Sequence, residues 1–405
     1  MLALTSIWTT ILLAAAVALG PLAVDMYLPA LPQIGADFHT GTDQVQLTLS
    51  LYLAGFALAQ LICGPLADRF GRKPIMVGGF LLFALASVGC ALATNIETLQ
   101  LSRFLQALGG SAGPVLGRAI VRDIYTPRDA AKILALLASI MALAPAVAPT
   151  LGGLMVAGFS WHWIFIAMGG YALLMAAVTA FGIPEPLPPS HRQPLRPRQL
   201  FANYRRISTD ASFLGYTLTN AAIYGGLFAF LSGASFVLID VLGVKPEHFG
   251  LYFAAMVAGY IAGNLGSIRL ARYLSPDQIL LYGLITSLVG GAAMALLAYQ
   301  HVHSPWAVMI PQAIFMAGTG LALPQCMAGA LANFPTMAGS ASALFGFIQM
   351  TAAAIAGALV GALHNGTPLV MATIIALCAG LAMIAYLLLA QRYPAKAFET
   401  PNASV

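Results

Sequence analysis

Twelve apolar runs, each about 20 residues or longer, dominate this chain. They fall at about 7–28, 44–65, 74–94, 98–122, 129–157 and 162–183, then at about 211–240, 247–270, 277–299, 304–331, 338–364 and 368–391. A helix needs about 20 apolar residues to cross the hydrocarbon core of a bilayer. Twelve such runs in 405 residues leave too little polar material for a wettable surface. Only 8% of the residues are charged and 60% are hydrophobic, against about 25% charged in a soluble domain. An all-α integral membrane protein is therefore predicted. The 40 glycines and 24 prolines, loop markers in water, are tolerated inside such helices.

A path that crosses the bilayer twelve times predicts where the charges fall, because loops on the cytoplasmic side collect Lys and Arg. One side holds Arg69, Arg72, Lys73, Arg118, Arg122, Arg128, Lys132, Arg192, Arg196, Arg198, Arg205, Arg206, Arg269, Arg272, Arg392 and Lys396. Only Lys245 lies on the opposite side, and Arg103 falls within a run. A missed or invented span would swap the downstream charges between sides, so twelve spans with both termini cytoplasmic are expected. The stretch 184–210 opens Pro184-Glu-Pro-Leu-Pro-Pro and carries five arginines. It is too polar to span and too proline-rich to be one helix, and reads as a basic, solvated cytoplasmic linker. Six-helix bundles over 1–183 and 211–405 are expected on either side of it. Gly266-Ser-Ile-Arg269-Leu-Ala-Arg272 faintly echoes the basic loop of the first half, as duplicated transporter halves do.

The most specific string is Gly64-Pro-Leu-Ala-Asp68-Arg69-Phe-Gly71-Arg72-Lys73. Gly64 and Gly71 suit a tight turn and close helix approach. Asp68 suits a helix N-terminus, and Arg72 can pair with Asp123 at the end of the fourth run. Such a cluster could lock one face shut and break when the protein changes state. A plain basic loop would explain the arginines but not Asp68 with two glycines. The string resembles, at every specified position, the G-x-x-x-D-R-x-G-R-K loop of the major facilitator superfamily, where the eleventh helix supplies the N-terminus facing Asp68.

Asp25, just after Gly20-Pro21, and Arg103 are ionisable groups inside apolar runs at similar depth. Such residues are costly and normally face a bundle interior or a wet cavity. They suggest a charge pair, either static or proton-coupled. In the fifth run, Ala144-Pro145-Ala-Val-Ala148-Pro149-Thr-Leu-Gly152-Gly153 puts small residues four apart beside helix-bending prolines. For a ligand, the polar and aromatic groups within apolar spans are Tyr52, Asn220, Tyr224, Phe228, Gln312, Gln325, Phe345 and Gln349. A few polar groups in an apolar wall suit a partly lipophilic small molecule, although each could equally serve as an interhelical bond.

No Walker A loop, HExxH, GxSxG or dinucleotide fingerprint occurs, so no enzyme chemistry and no nucleotide drive is indicated. Cys63, Cys90, Cys326 and Cys378 lie singly in apolar runs and read as small buried hydrophobes. His301 and His303, on an outer loop, lack companions for a metal site. No cofactor, metal or nucleic-acid partner is expected, and the chain is taken as a monomer in lipid.

The strings Asp25-Met-Tyr-Leu-Pro29-Ala-Leu-Pro32, Gln46-Leu-Thr-Leu-Ser-Leu-Tyr52, Arg103-Phe-Leu-Gln106-Ala-Leu-Gly109 and the Gly64 loop resemble the Bcr/CflA group of twelve-helix drug:proton antiporters. The fifth run is similar to the exporter signature G-x-x-x-G-P-x-x-G-G, with Ala144 and Ala148 in place of glycines. The resemblance implies two pseudo-symmetric six-helix bundles rocking about a central cavity in a bacterial inner membrane. By it, Asp25 loads and releases a proton beside Arg103, and drugs of the bicyclomycin or amphenicol type leave in exchange. A proton-coupled importer of a nutrient on the same fold is the competing expectation. A scaffold or channel would leave the Gly64 string and Asp25 without purpose.

Overall fold

The computed structural model describes residues 6–395 apart from 193 and 195. Lys396 and the side chain of Arg128, both used in the charge argument, lie outside the described residues. In chain order the helices are α1 (Ile7–Asp25), α2 (Leu31–Asp37), α3 (Thr42–Phe70), α4 (Arg72–Ala91), α5 (Ile96–Gly110), α6 (Ala112–Ile124), α7 (Pro127–Gly158) and α8 (His162–Gly182). They continue with α9 (Pro197–Ser208), α10 (Ala211–Ser235), α11 (Phe249–Leu270), α12 (Pro276–Tyr299), α13 (Pro305–Ala332), α14 (Ala338–Ala362) and α15 (Leu369–Ala385). π-helical turns, Phe236–Val241 and Tyr386–Ala390, extend α10 and α15. No strand occurs among the described residues.

Every apolar run is helical, because a backbone in lipid has no water to bond and must satisfy its polar groups within the segment. Ten helical spans are long and apolar enough to cross a membrane. The other two expected spans are α7 and the pair α5–α6, which follow each other through Ser111 with helical dihedrals (φ −67°, ψ −22°) and intact bonds from Ser111 to Ala107 and from Val115 to Ser111. Pro114 has no N–H to give the Gly110 carbonyl one turn back, so one helical bond is missing there. Helix starts carry their own caps. Asn95 accepts from the Thr98 N–H at 2.8 Å and Asp210 from the Phe213 N–H at 2.7 Å. Ser275 and Gln278 close a reciprocal capping box on α12. The outward faces carry large apolar side chains such as Leu85, Leu101, Phe181 and Leu377, which suit contact with acyl chains.

The chain forms two compact units. The first comprises Met1–Arg196 with Lys245–Gly250, and the second comprises Pro197–Val244 with Leu251–Val405. The stretch 184–210 is thus divided between them, and it is less featureless than its prolines suggest. A 3-10 turn covers Pro189–His191, and α9 begins at Pro197, where a missing N–H costs nothing. Ile207 of α9 is fully buried in an apolar cluster with Phe213, Tyr216, Phe334 and Tyr386.

Candidate functional site

Arg103 of α5 is completely buried in the first unit. Its Nη1 donates to the Ala23 carbonyl at 3.2 Å and to Gln106 Oε1 at 2.6 Å. Gln106, one turn on, donates in turn to Ser87 Oγ at 2.8 Å. The guanidinium lies 4.4 Å from the Tyr27 ring centre, 4.2 Å from that of Tyr52 and 5.8 Å from that of Phe165. Aromatic faces are electron-rich and hold a desolvated guanidinium. Nε and Nη2 of Arg103 and the Tyr52 hydroxyl are buried with no hydrogen-bond partner among the described residues. The Tyr27 hydroxyl is engaged with Thr48 Oγ1 at 2.7 Å.

Asp25 closes α1, two residues beyond Ala23, and is also buried. It forms no ion pair with Arg103: among the described residues the ion pairs are Arg72–Asp68, Arg72–Asp123 and Lys132–Asp129. The direct charge pair expected from their similar depth is therefore replaced by a different arrangement. Aromatic rings, an amide oxygen and a backbone carbonyl surround the cation, and the acid, two residues beyond Ala23, has no counter-ion among the described residues. Tyr27, Ser87 and Phe165 were not singled out from the sequence. Tyr27 stands within the Asp25 string and Gln106 one helical turn from Arg103, which are the signals that point to them.

The backbone just past Asp25 is gripped from another direction. Gly152 of α7 lies directly against the Met26 carbonyl, so close that a Cβ there would collide with it. Gly153 meets the backbone of Pro246 in the same way. Pro145 and Pro149 lie within α7, and Ala144 and Ala148 are buried with these glycines. The small-residue face of α7 thus holds the end of α1.

The Gly64 string is mostly helix rather than loop. Gly64 lies inside α3 with nothing within 4 Å of a Cβ built on it, so the expected close approach is absent there. The turn is confined to Gly71, whose φ of +104° is a conformation that L side chains rarely adopt. Arg72 bonds Asp68 Oδ1 at 2.5 Å through Nη1 and Asp123 Oδ2 at 2.8 Å through Nε. Arg69 lies over the Phe70 ring. Glu185, quoted within the linker but given no role by the sequence, accepts from the backbone N–H of Arg72 at 2.8 Å and of Lys73 at 3.1 Å. A carboxylate on the first turn of α4 satisfies orphan donors and meets the positive end of the helix dipole. It approaches so closely that a Cβ at Gly71 would stand 2.6 Å from Glu185 Oε2.

The residues proposed to meet a ligand separate into groups. Tyr52 belongs to the Arg103 cage. Asn220, Tyr224 and Phe228 recur every four residues along α10, and the last two rings are 5.1 Å apart. Gln312 of α13 is fully buried with neither side-chain polar atom partnered among the described residues, and Asn220 Nδ2 likewise has no partner among them. Gln325 donates to Ser267 Oγ at 2.9 Å, and Phe345 packs into the apolar cluster around Tyr216. Those two serve packing between helices. Gln349 lies half-buried on α14. No cluster of three metal-ligating side chains occurs among the described residues.

The Major Facilitator Superfamily model matches residues 13–357. The MFS-type transporter YdgK of Bacillus subtilis is 37% identical over 372 residues, covering 91% of this chain and 92% of that protein. The bicyclomycin resistance protein homolog of Haemophilus influenzae is 32% identical over 374 residues, covering 92% and 94%. Multidrug resistance protein MdtL of Escherichia coli O9:H4 is 30% identical over 336 residues, covering 83% and 84%. Among solved structures, a bacterial homolog of the human lysosomal transporter Spinster superposes with a TM-score of 0.77 at 18% identity, over 98% of both chains. The D-xylose-proton symporter gives 0.70 at 14% identity, over 94% of this chain and 97% of that one. With the helical spans, the glycine-hinged arginine clamp and these matches together, the chain belongs to the Major Facilitator Superfamily, a family of multi-pass membrane transporters and not of enzymes.

Proposed function

We propose that this transporter exports small, partly lipophilic drugs across a bacterial inner membrane in exchange for protons, by alternating access, with both termini cytoplasmic. Relatives named for bicyclomycin resistance and multidrug resistance support the substrate class and the direction. The observation that carries the proton step is the setting of Asp25. Its carboxyl is buried without a counter-ion, between Ala23, whose carbonyl holds Arg103, and Met26, whose carbonyl meets Gly152. A change of charge there acts where α1, α5 and α7 join. Burying a carboxylate without a partner is expensive, so gaining or losing a proton alters the preferred packing of that junction. One charge crossing 100 mV is worth about 2.3 kcal/mol, enough for each proton to drive useful accumulation.

Purified protein in liposomes with an imposed pH gradient tests this, with bicyclomycin and chloramphenicol as the first probes. Antiport concentrates the drug in the acid compartment, because drug and proton move oppositely. Accumulation in the alkaline compartment would instead make the protein a symporter of the importing type. Asp25→Asn is expected to lower gradient-driven accumulation by about 100-fold, of the order seen when an essential acid–base group is removed, with insertion preserved. Wild-type coupling in that variant removes Asp25 from the mechanism.

A further inference from the structure

The helix α9 has two faces that its length alone would not demand. Leu200, Asn203 and Tyr204 are half-buried and Ile207 is fully buried, spaced three and four apart on one face, and burial raises the Tyr204 hydroxyl above its ordinary pKa. α9 packs there against α10 and α14. The opposite face carries Arg198, Phe201, Ala202, Arg205 and Arg206, all exposed, with Phe201 71% accessible. With Thr209 they line a depression of about 500 Å³. None of the three arginines makes an ion pair among the described residues. Two residues separate α9 from α10, a membrane span capped at its start by Asp210. Ile207 therefore pins the helix two residues from a membrane-spanning segment, with an exposed aromatic ring set among guanidinium groups that make no ion pair among the described residues.

We infer that α9 is a docking surface for anionic phospholipid, with Arg198, Arg205 and Arg206 taking the headgroup phosphate and Phe201 entering the acyl boundary. Guanidinium forks match phosphate oxygens two at a time. Basic amphipathic helices with an aromatic residue lie in the membrane interface, and basic residues beside a span draw anionic lipid. A soluble phosphate compound would use the arginines but would leave Phe201 in water. The inference shares with the proposed function only the placement of the spans in a bilayer, and it holds whichever way transport runs.

Full-length protein in detergent, titrated with phosphatidylglycerol or phosphatidylcholine and read by native mass spectrometry, tests it. Wild-type protein should retain phosphatidylglycerol at least about tenfold better than phosphatidylcholine, given the attraction each basic residue contributes. Replacing all three (Arg198→Gln, Arg205→Gln, Arg206→Gln) should remove that preference. Phe201→Ser should shorten phosphatidylglycerol retention about threefold with every charge kept. Equal preference in the triple variant and the wild type overturns the proposal. So does loss of the wild-type preference in millimolar inorganic phosphate, a measurement that requires no variant to fold and would make the site one for soluble anions. Efflux by the Asp25→Asn protein is irrelevant to this readout, so the two proposals fail separately.

Discussion

The two units bury different chemistry. In the first, Asp25, Arg72 and Arg103 are ionisable residues that the fold buries, and every ion pair among the described residues lies there. In the second, the buried polar residues are Ser, Thr, Asn and Gln, from Ser212 through Asn220 to Gln312 and Thr319, with no charged one among them. Charges respond to protons and voltage, whereas neutral amides and hydroxyls offer hydrogen bonds with little electrical response. On the proposed mechanism, the contrast would divide the work, with proton sensing in the first unit and polar recognition in the second. It also shows that pseudo-symmetric halves need share only their helical frame.

The hardest blow to that division is Arg103→Ala. It strips the tyrosine cage of its cation and leaves Gln106 Oε1 without its donor. Leaving a buried acceptor without its donor costs about 1–3 kcal/mol, so a fall in thermal midpoint of a few degrees is expected, together with loss of gradient-driven transport. Arg103→Lys should restore stability in part but not transport, because an ammonium cannot lie flat between two rings. Transport that survives in Arg103→Ala breaks the assignment of charge handling to the first unit.

Gly71→Ala comes next. The positive φ and the Glu185 contact together should cost about 1–3 kcal/mol, and transport should slow as the Arg72 clamp shifts. Glu185→Ala combined with Gly71→Ala should recover part of the loss, since the collision goes while the strain stays. Non-additivity of that pair in a thermal melt is the measurement to make. The smallest effect on activity, and the most diagnostic for the second unit, is expected from Gln312→Leu. Removing an unpartnered buried amide should stabilise the protein by about 1–3 kcal/mol while narrowing the range of drugs moved. A stabilised variant with an unchanged drug profile would make Gln312 a packing residue and weaken the contrast between the units.

The spans are legible in the sequence because lipid forces each apolar run to close its own hydrogen bonds, which makes the property local. Apart from Gln106, the groups around Arg103 are not local. Tyr27 in the turn after α1, Tyr52 of α3 and Phe165 of α8 meet around it, with Ser87 of α4 behind Gln106, and only their convergence reveals a cage where a salt bridge with Asp25 is the natural first reading. Glu185 hides for a similar reason: a lone acid between prolines looks solvated until the chain brings it back to the first turn of α4. Gly64 misleads in the opposite sense, since its place in a motif suggests a turn while the helix runs straight through it. α9 is half legible, its arginines evident and its burial of Ile207 not.

The fourth crossing carries Arg103 near one end and Asp123 near the other, about 30 Å apart at 1.5 Å per residue. Ser111 keeps helical dihedrals, and the bonds from its own N–H to Ala107 and from Val115 to its carbonyl are made, so α5 and α6 run on as one shaft. The tyrosine cage and the arginine clamp therefore share a single helical backbone, and a displacement at one end has a covalent route to the other.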